Sequence, residues 1–176
     1  IPAASQGSML IVRREALRQW LWEKAEGWSV KQQEGALKSA LLGHGFDRDP
    51  EAAIERLLDA GVETLALHEE GEYAATQLLG PGWHAMLHGF GGKRAELVAR
   101  AVKDNLADCL VTLPGLLARG GPEALHFWFA GFDGLRRELF PRLVDAYRKV
   151  GAGDTALRVA ASDGAAHFLT LGRRLL

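Results

Sequence analysis

His84 and His88 stand four residues apart, so on a helix both imidazoles would project from one face, as the paired ligands of many metal sites do. Two ligands do not hold a catalytic metal, and a further donor would be His68, Glu69 or Glu70 from the preceding helix. A zinc-protease helix would carry a glutamate directly after its first histidine, but Ala85 and Met86 follow His84. Gly80-Pro81-Gly82 before the pair and Gly89 after it also leave little length for a helix. The competing and weightier reading is two surface or capped histidines. The chain has six histidines, which keeps a metal or haem open as an alternative, although nothing selects an axial pair.

Other familiar chemistries fail at named positions. Gly89-Phe90-Gly91-Gly92-Lys93 before a helix resembles a phosphate-binding loop, yet Leu87 stands where its first glycine belongs and Arg94 replaces the magnesium-binding hydroxyl residue. Cys109 lies within an apolar stripe, where a thiol behaves as a small hydrophobe with no cation beside it in sequence to activate it. Ser162, Asp163 and His167 are triad residue types, but the glycine-flanked serine turn is missing. His126 and His167 each neighbour a phenylalanine and read as packed or boundary residues.

The aromatic residues raise a different question. Trp20, Trp22 and Trp28 crowd the N-terminal segment; Trp20 falls on its apolar stripe, so Trp22, two positions on, points elsewhere. Phe127, Trp128, Phe129 and Phe132 offer more aromatic surface than one helix face hides. Exposed tryptophans are favoured at the energetic centres of protein interfaces, so Trp20, Trp22, Trp28, Phe127, Trp128 and Phe132 are the partner-contact candidates. A second layer of helices covering both groups is the alternative.

The elements that carry these residues read as helices. Ala16, Leu17, Trp20, Leu21 and Ala25 recur at helical spacing from Arg14 to about Glu26. Ser29 with Gln32 is a capping-box pattern for a second helix, which Gly43 ends. Asp49-Pro50-Glu51 starts a third, with Gly61 as its end and a further helix over Leu65 to Leu79, softened at Gly71. Val98, Val102, Leu106, Cys109 and Leu113 define the longest stripe, from Lys93 to Leu113, which Pro114 ends. Leu135 to Val150 is restarted or kinked at Pro141. Leu157 to Leu171 reads as helix, with a short β-hairpin around Asp163-Gly164 as the alternative.

The fold class is therefore all-α, a multi-helix bundle. Ile1 to Ser8 read as a vector remnant, because Gly7-Ser8 before Met9 is a common cloning scar, and residues 9–176 as a single helical domain with a sub-domain break near residues 120–122. At 48% hydrophobic and 24% charged residues the chain has globular proportions, and at this length folding buries roughly two-thirds of the unfolded surface. Twenty-one basic residues balance 22 acidic ones without a like-charge run, which argues against nucleic acid as partner. One cysteine excludes an intrachain disulfide, and no apolar run approaches the roughly 20 residues that cross a bilayer. The cytoplasm, without membrane association, is the expected location.

Ala53-Ile54-Glu55-Arg56, Asp59-Ala60-Gly61-Val62-Glu63 and Gln77-Leu78-Leu79-Gly80-Pro81-Gly82-Trp83 lie within Pro50 to Trp83. This stretch resembles a group of small helical proteins encoded in bacterial type VI secretion gene clusters. The resemblance implies a bacterial cytosolic accessory whose partner is another protein, a secreted effector or toxin or a spike component, and it brings no catalytic residues. The expected function is accordingly non-catalytic: an immunity protein, adaptor or chaperone, with no cofactor. The rival is a metal- or haem-binding protein or enzyme built on His84 and His88 with His68 or Glu69. A homo-oligomeric structural module is a third reading.

Overall fold

The computed structural model describes residues 3–6, 9–119, 121–150 and 153–176, with side chains from Ile11 onward. The chain is an all-α multi-helix bundle preceded by an antiparallel ribbon of β1 (Ala3–Gln6) and β2 (Met9–Val12). Four of the eight residues read as a vector remnant thus form β1; Ile1, Pro2, Gly7 and Ser8 lie outside the described residues, as does Gly120 of the expected break. Two compact units form: residues 1–66 with 119–132, and residues 67–118 with 133–176.

The first unit contains α1 (Arg14–Lys31), α2 (Ala36–Gly43), the N-terminal half of α3 (Pro50–Leu79) and α7 (Pro122–Ala130). Leu17, Leu21 and Ala25, four apart, bury one face of α1 among Leu41, Ile54, Leu57 and Leu58. The expected helix end near Glu26 and the Ser29 cap are both corrected. Ser29 sits inside α1 and donates its hydroxyl to the Ala25 carbonyl at 2.9 Å, a local bond available only within a helix. The chain turns instead at Gln32, in the left-handed region, with its N–H on the Trp28 carbonyl. Asp49 does cap α3: its Oδ1 accepts the Ala52 N–H at 3.1 Å, and Pro50 opens the helix. Exposed pairs from Arg14 to Asp59 and from Arg18 to Glu51 and Glu55 run antiparallel along α1 and α3. Pairs this open to water add little stability.

Gly61 does not end α3, nor does Gly71 soften it; the helix is continuous over 30 residues. Both glycines are spacers. A Cβ at Gly61 would stand 3.3 Å from Leu17 Cδ2 and Phe127 Cε1, and one at Gly71 would collide with the Ala107 carbonyl. The helix accepts a propensity penalty of about 1 kcal/mol per glycine in return for these close approaches.

The second unit contains the C-terminal half of α3, α4 (Gly82–Gly89), α5 (Lys93–Ala107), α6 (Leu113–Ala118), α8 (Gly134–Leu139), α9 (Pro141–Tyr147) and α10 (Thr155–Leu175). Pro114 does not stop the helix before it, as its ring and missing N–H suggested. A π-turn over Asp108–Thr112 carries the Leu113 N–H back to the Asp108 carbonyl, five residues away, and α6 then includes Pro114 near its start. The wider turn comes just before the residue that cannot donate to the helical ladder.

Pro141 restarts the chain as α9. Thr155 to Leu175 is one helix, so the hairpin alternative is not formed. Asp163-Gly164 sits mid-helix because Gly164 is another spacer: a Cβ there would meet Phe140 Cζ at 2.5 Å and Cys109 Sγ at 2.7 Å. Phe140 and Phe168 pack edge to face in the same core, and Trp83 is fully buried where α10 passes at Gly172. Among the described residues no helix is long and apolar enough to cross a membrane.

Candidate functional site: a charged cluster on α3 and α5

The second unit buries charge as well as apolar surface. His68 and Glu72 are one turn apart on α3; Asp104 and Asp108 are one turn apart on α5 and the start of the π-turn. The close approach at Gly71 and Ala107 sets these two pairs against each other. His68 Nδ1 lies 2.9 Å from Asp108 Oδ1, and the other Asp108 oxygen pairs with the Arg136 guanidinium from α8. Asn105 Nδ2 donates to the Arg136 carbonyl at 3.0 Å, fixing α8 where it delivers that guanidinium. The Lys103 ammonium pairs with Glu72 Oε2. One ligand-capable atom each from His68, Glu72 and Asp104 lies within 4.8 Å of the others.

Burial acts first on every group here, and its neighbours decide the outcome. Asp108 is fully enclosed, which pushes its carboxyl up, but hydrogen bonding to His68 and the Arg136 charge outweigh this and hold it below the usual range. Burial pulls His68 down, while the Asp108 hydrogen bond and charge carry it above its ordinary value. Glu72 is likewise pushed up by burial, yet hydrogen bonds from Asp104 and Lys103 bring it below its ordinary value. Asp104 is raised to about 7 by burial and by the adjacent Glu72 carboxylate. Glu72 and Asp104 are within hydrogen-bonding reach of each other, which lowers Glu72 and raises Asp104. The Lys103 ammonium and the Arg136 guanidinium thus face Glu72 and Asp108, the two carboxylates held below their ordinary values.

The structure separates the residues expected to act together. His84 and His88 do lie on one helix, α4, but both are exposed, and the convergent trio among the described residues contains neither. Glu69 is half-buried and outside the trio; His68 belongs to it. Cys109 is buried, and burial followed by the Asp108 charge pushes its thiol up, away from reactivity. Asp163 pairs with Arg142, and Ser162 and His167 are exposed beside it.

The aromatic candidates divide too. Trp128 and Phe132 are corrected from contact residues to core: they stack at 4.8 Å between centroids and are 7% and 2% exposed. Phe127, Trp22 and Trp28 are half-buried; the two tryptophans meet Phe46 edge to face. Trp20, expected on the buried stripe, is 39% exposed with the Lys24 ammonium 5.5 Å from its ring, because Leu17, Leu21 and Ala25 define a stripe that Trp20 flanks.

Glu72, Lys103, Asp104, Asp108 and Arg136 were not singled out from the sequence. Two signals were there: the i, i+4 repeat of His68/Glu72 and of Asp104/Asp108, and a carboxylate at 108 between Ala107 and Cys109.

Residues 18–176 match the family described as "Family of unknown function (DUF6866) C-terminal domain", and the chain belongs to that family. No curated protein and no solved structure matches it.

Proposed function

We propose that this chain is a non-catalytic domain that binds another protein, with α1 as the contact helix. The observation that carries this reading is Trp20. Of the chain's five tryptophans, all among the described residues, the other four are half-buried or buried, whereas Trp20 stays open on α1. Farther along the same helix Val30 is 85% exposed. Leaving a large aromatic and a branched aliphatic side chain in water costs solvation that a partner would recover, and a rigid tryptophan loses little entropy on docking. Lys24 over the ring keeps one flank of the contact polar.

The resemblance of Pro50 to Trp83 to proteins of type VI secretion clusters supports a finer version. In it the domain works in the bacterial cytoplasm as an immunity protein, adaptor or chaperone for a secreted effector. Occlusion or escort of the partner would then be the mechanism.

A photo-crosslinking amino acid placed on α1 beside Trp20 tests the contact in cells. With the probe carried at exposed position 23 of α1 in both wild type and Trp20→Ala, and not at position 20 itself, the expected result is one heterologous protein crosslinked in stoichiometric yield, with its capture reduced at least tenfold in Trp20→Ala while the helical circular dichroism is retained. Crosslinks to copies of this chain alone would replace the reading with self-association, and capture unchanged in Trp20→Ala would remove α1 as the contact.

A further inference from the structure

We propose that His68, Glu72 and Asp104 form a binding site for a divalent first-row cation of the zinc class, with Asp108 as the residue that positions His68. The donor set is one imidazole and two carboxylates, a mixture suited to such ions. The donors come from two helices held at fixed separation by the Gly71 and Ala107 contact, and their atoms lie within 4.8 Å of one another. Ligands at about 2.0–2.2 Å from a zinc ion are separated by roughly 3.4 Å at the tetrahedral angle, so each donor closes on the ion by about 1 Å or less, a shift within reach of side-chain rotation.

Three further features suit a cation. His68 presents Nδ1 to Asp108 at 2.9 Å, which commits Nε2 to any ligand; a carboxylate behind the imidazole is the usual support of a metal-bound histidine. Asp108 is itself secured by Arg136 and enclosed, so it orients the ring and does not compete as a ligand. Lys103 engages Glu72 at Oε2, leaving Oε1 for the ion. Three protein donors leave a further coordination position for water.

The site lies apart from His84 and His88, and that separation makes it testable. Chelator-stripped protein is titrated with ZnCl₂ by calorimetry, and cobalt(II) is added to a second sample for absorption and X-ray absorption spectra. The expected result is one ion per chain, bound at least tenfold more weakly by Glu72→Gln and by Asp104→Asn, and unaltered in a His84→Ala/His88→Ala double variant. Cobalt should show visible ligand-field bands and a single imidazole among oxygen ligands. The spectra use the unaltered chain and so decide the matter even where a variant fails to fold. Absence of binding by wild-type protein, or a bound ion with two imidazoles that disappears in the histidine double variant, would overturn the proposal.

Discussion

In the first unit, α1, α2 and α3 enclose leucine, isoleucine and alanine, with tryptophan and phenylalanine packed around them. In the second, α3 and α5 enclose an aspartate, and half-bury a histidine, a lysine and two more carboxylates, with the fully buried Leu106 between Asp104 and Asp108 in sequence. An apolar core is non-directional and tolerates exchange of one hydrophobe for another of similar volume. A charged cluster works only as a set, because each member's desolvation is offset by a particular partner. The two halves of one 30-residue helix therefore obey different rules of substitution.

The sharpest test of that contrast is Asp108→Ala. It leaves Arg136 and His68 facing each other without their anion, and a loss of about 3–5 kcal/mol is expected from urea unfolding. Gly71→Ala comes next: a methyl group against the Ala107 carbonyl forces α3 from α5, at about 1–3 kcal/mol by the same measurement. Phe132→Leu in the first unit removes one ring from a buried aromatic cluster but keeps the site apolar, and should cost about 1–2 kcal/mol. A loss equal to that of Asp108→Ala would erase the distinction between the two cores.

Acidity separates the units without mutation. The Asp104 carboxyl is raised in the folded chain, so its contribution is complete below about pH 4, its unfolded value, and is lost as the pH climbs through about 7. His68 is raised as well; its contribution is present below about pH 6.5 and lost above its folded value. Asp108 and Glu72 are lowered, so theirs are present above about pH 4 and lost as acid titrates them. Thermal melts of metal-free protein should peak between about pH 4 and 6.5 and decline toward pH 8, with a shallower decline in Asp104→Asn. The smallest effect belongs to Trp20→Ala, which should change stability by about 1 kcal/mol or less, since exposure and one cation–π contact are all it loses.

The helices were legible wherever apolar spacing and a cap agreed, as at Leu17, Leu21 and Ala25 or at Asp49-Pro50. Glycine misled. Gly61, Gly71 and Gly164 carry the composition of a stop or turn, and only the side chain or carbonyl lying opposite reveals them as spacers. Ser29 misled for a related reason, since a hydroxyl can cap a helix or bond back within one, and sequence does not choose between them. The charged cluster stayed hidden because its pairing is across 40 residues, from His68 to Asp108, and 28 more to Arg136. Tryptophan count suggested surplus aromatic surface, but Trp22 and Trp28 pack on Phe46, remote from them in sequence, and Trp128 closes on its own neighbours Phe129 and Phe132.

The π-turn at Asp108–Thr112 is equivalent to one residue inserted into an α-helix. Each residue of an α-helix advances about 100° around the axis, so a single-codon deletion within the turn would restore regular winding while rotating one flank against the other by about that angle. Asp104 and Asp108 on one side, and Leu113 and Leu116 on the other, could then no longer both face inward. A reading-frame-preserving deletion scan over Cys109 to Thr112, which spares Asp108, would thus show a paradox: removing an irregularity makes the helix more ideal and the protein less able to fold.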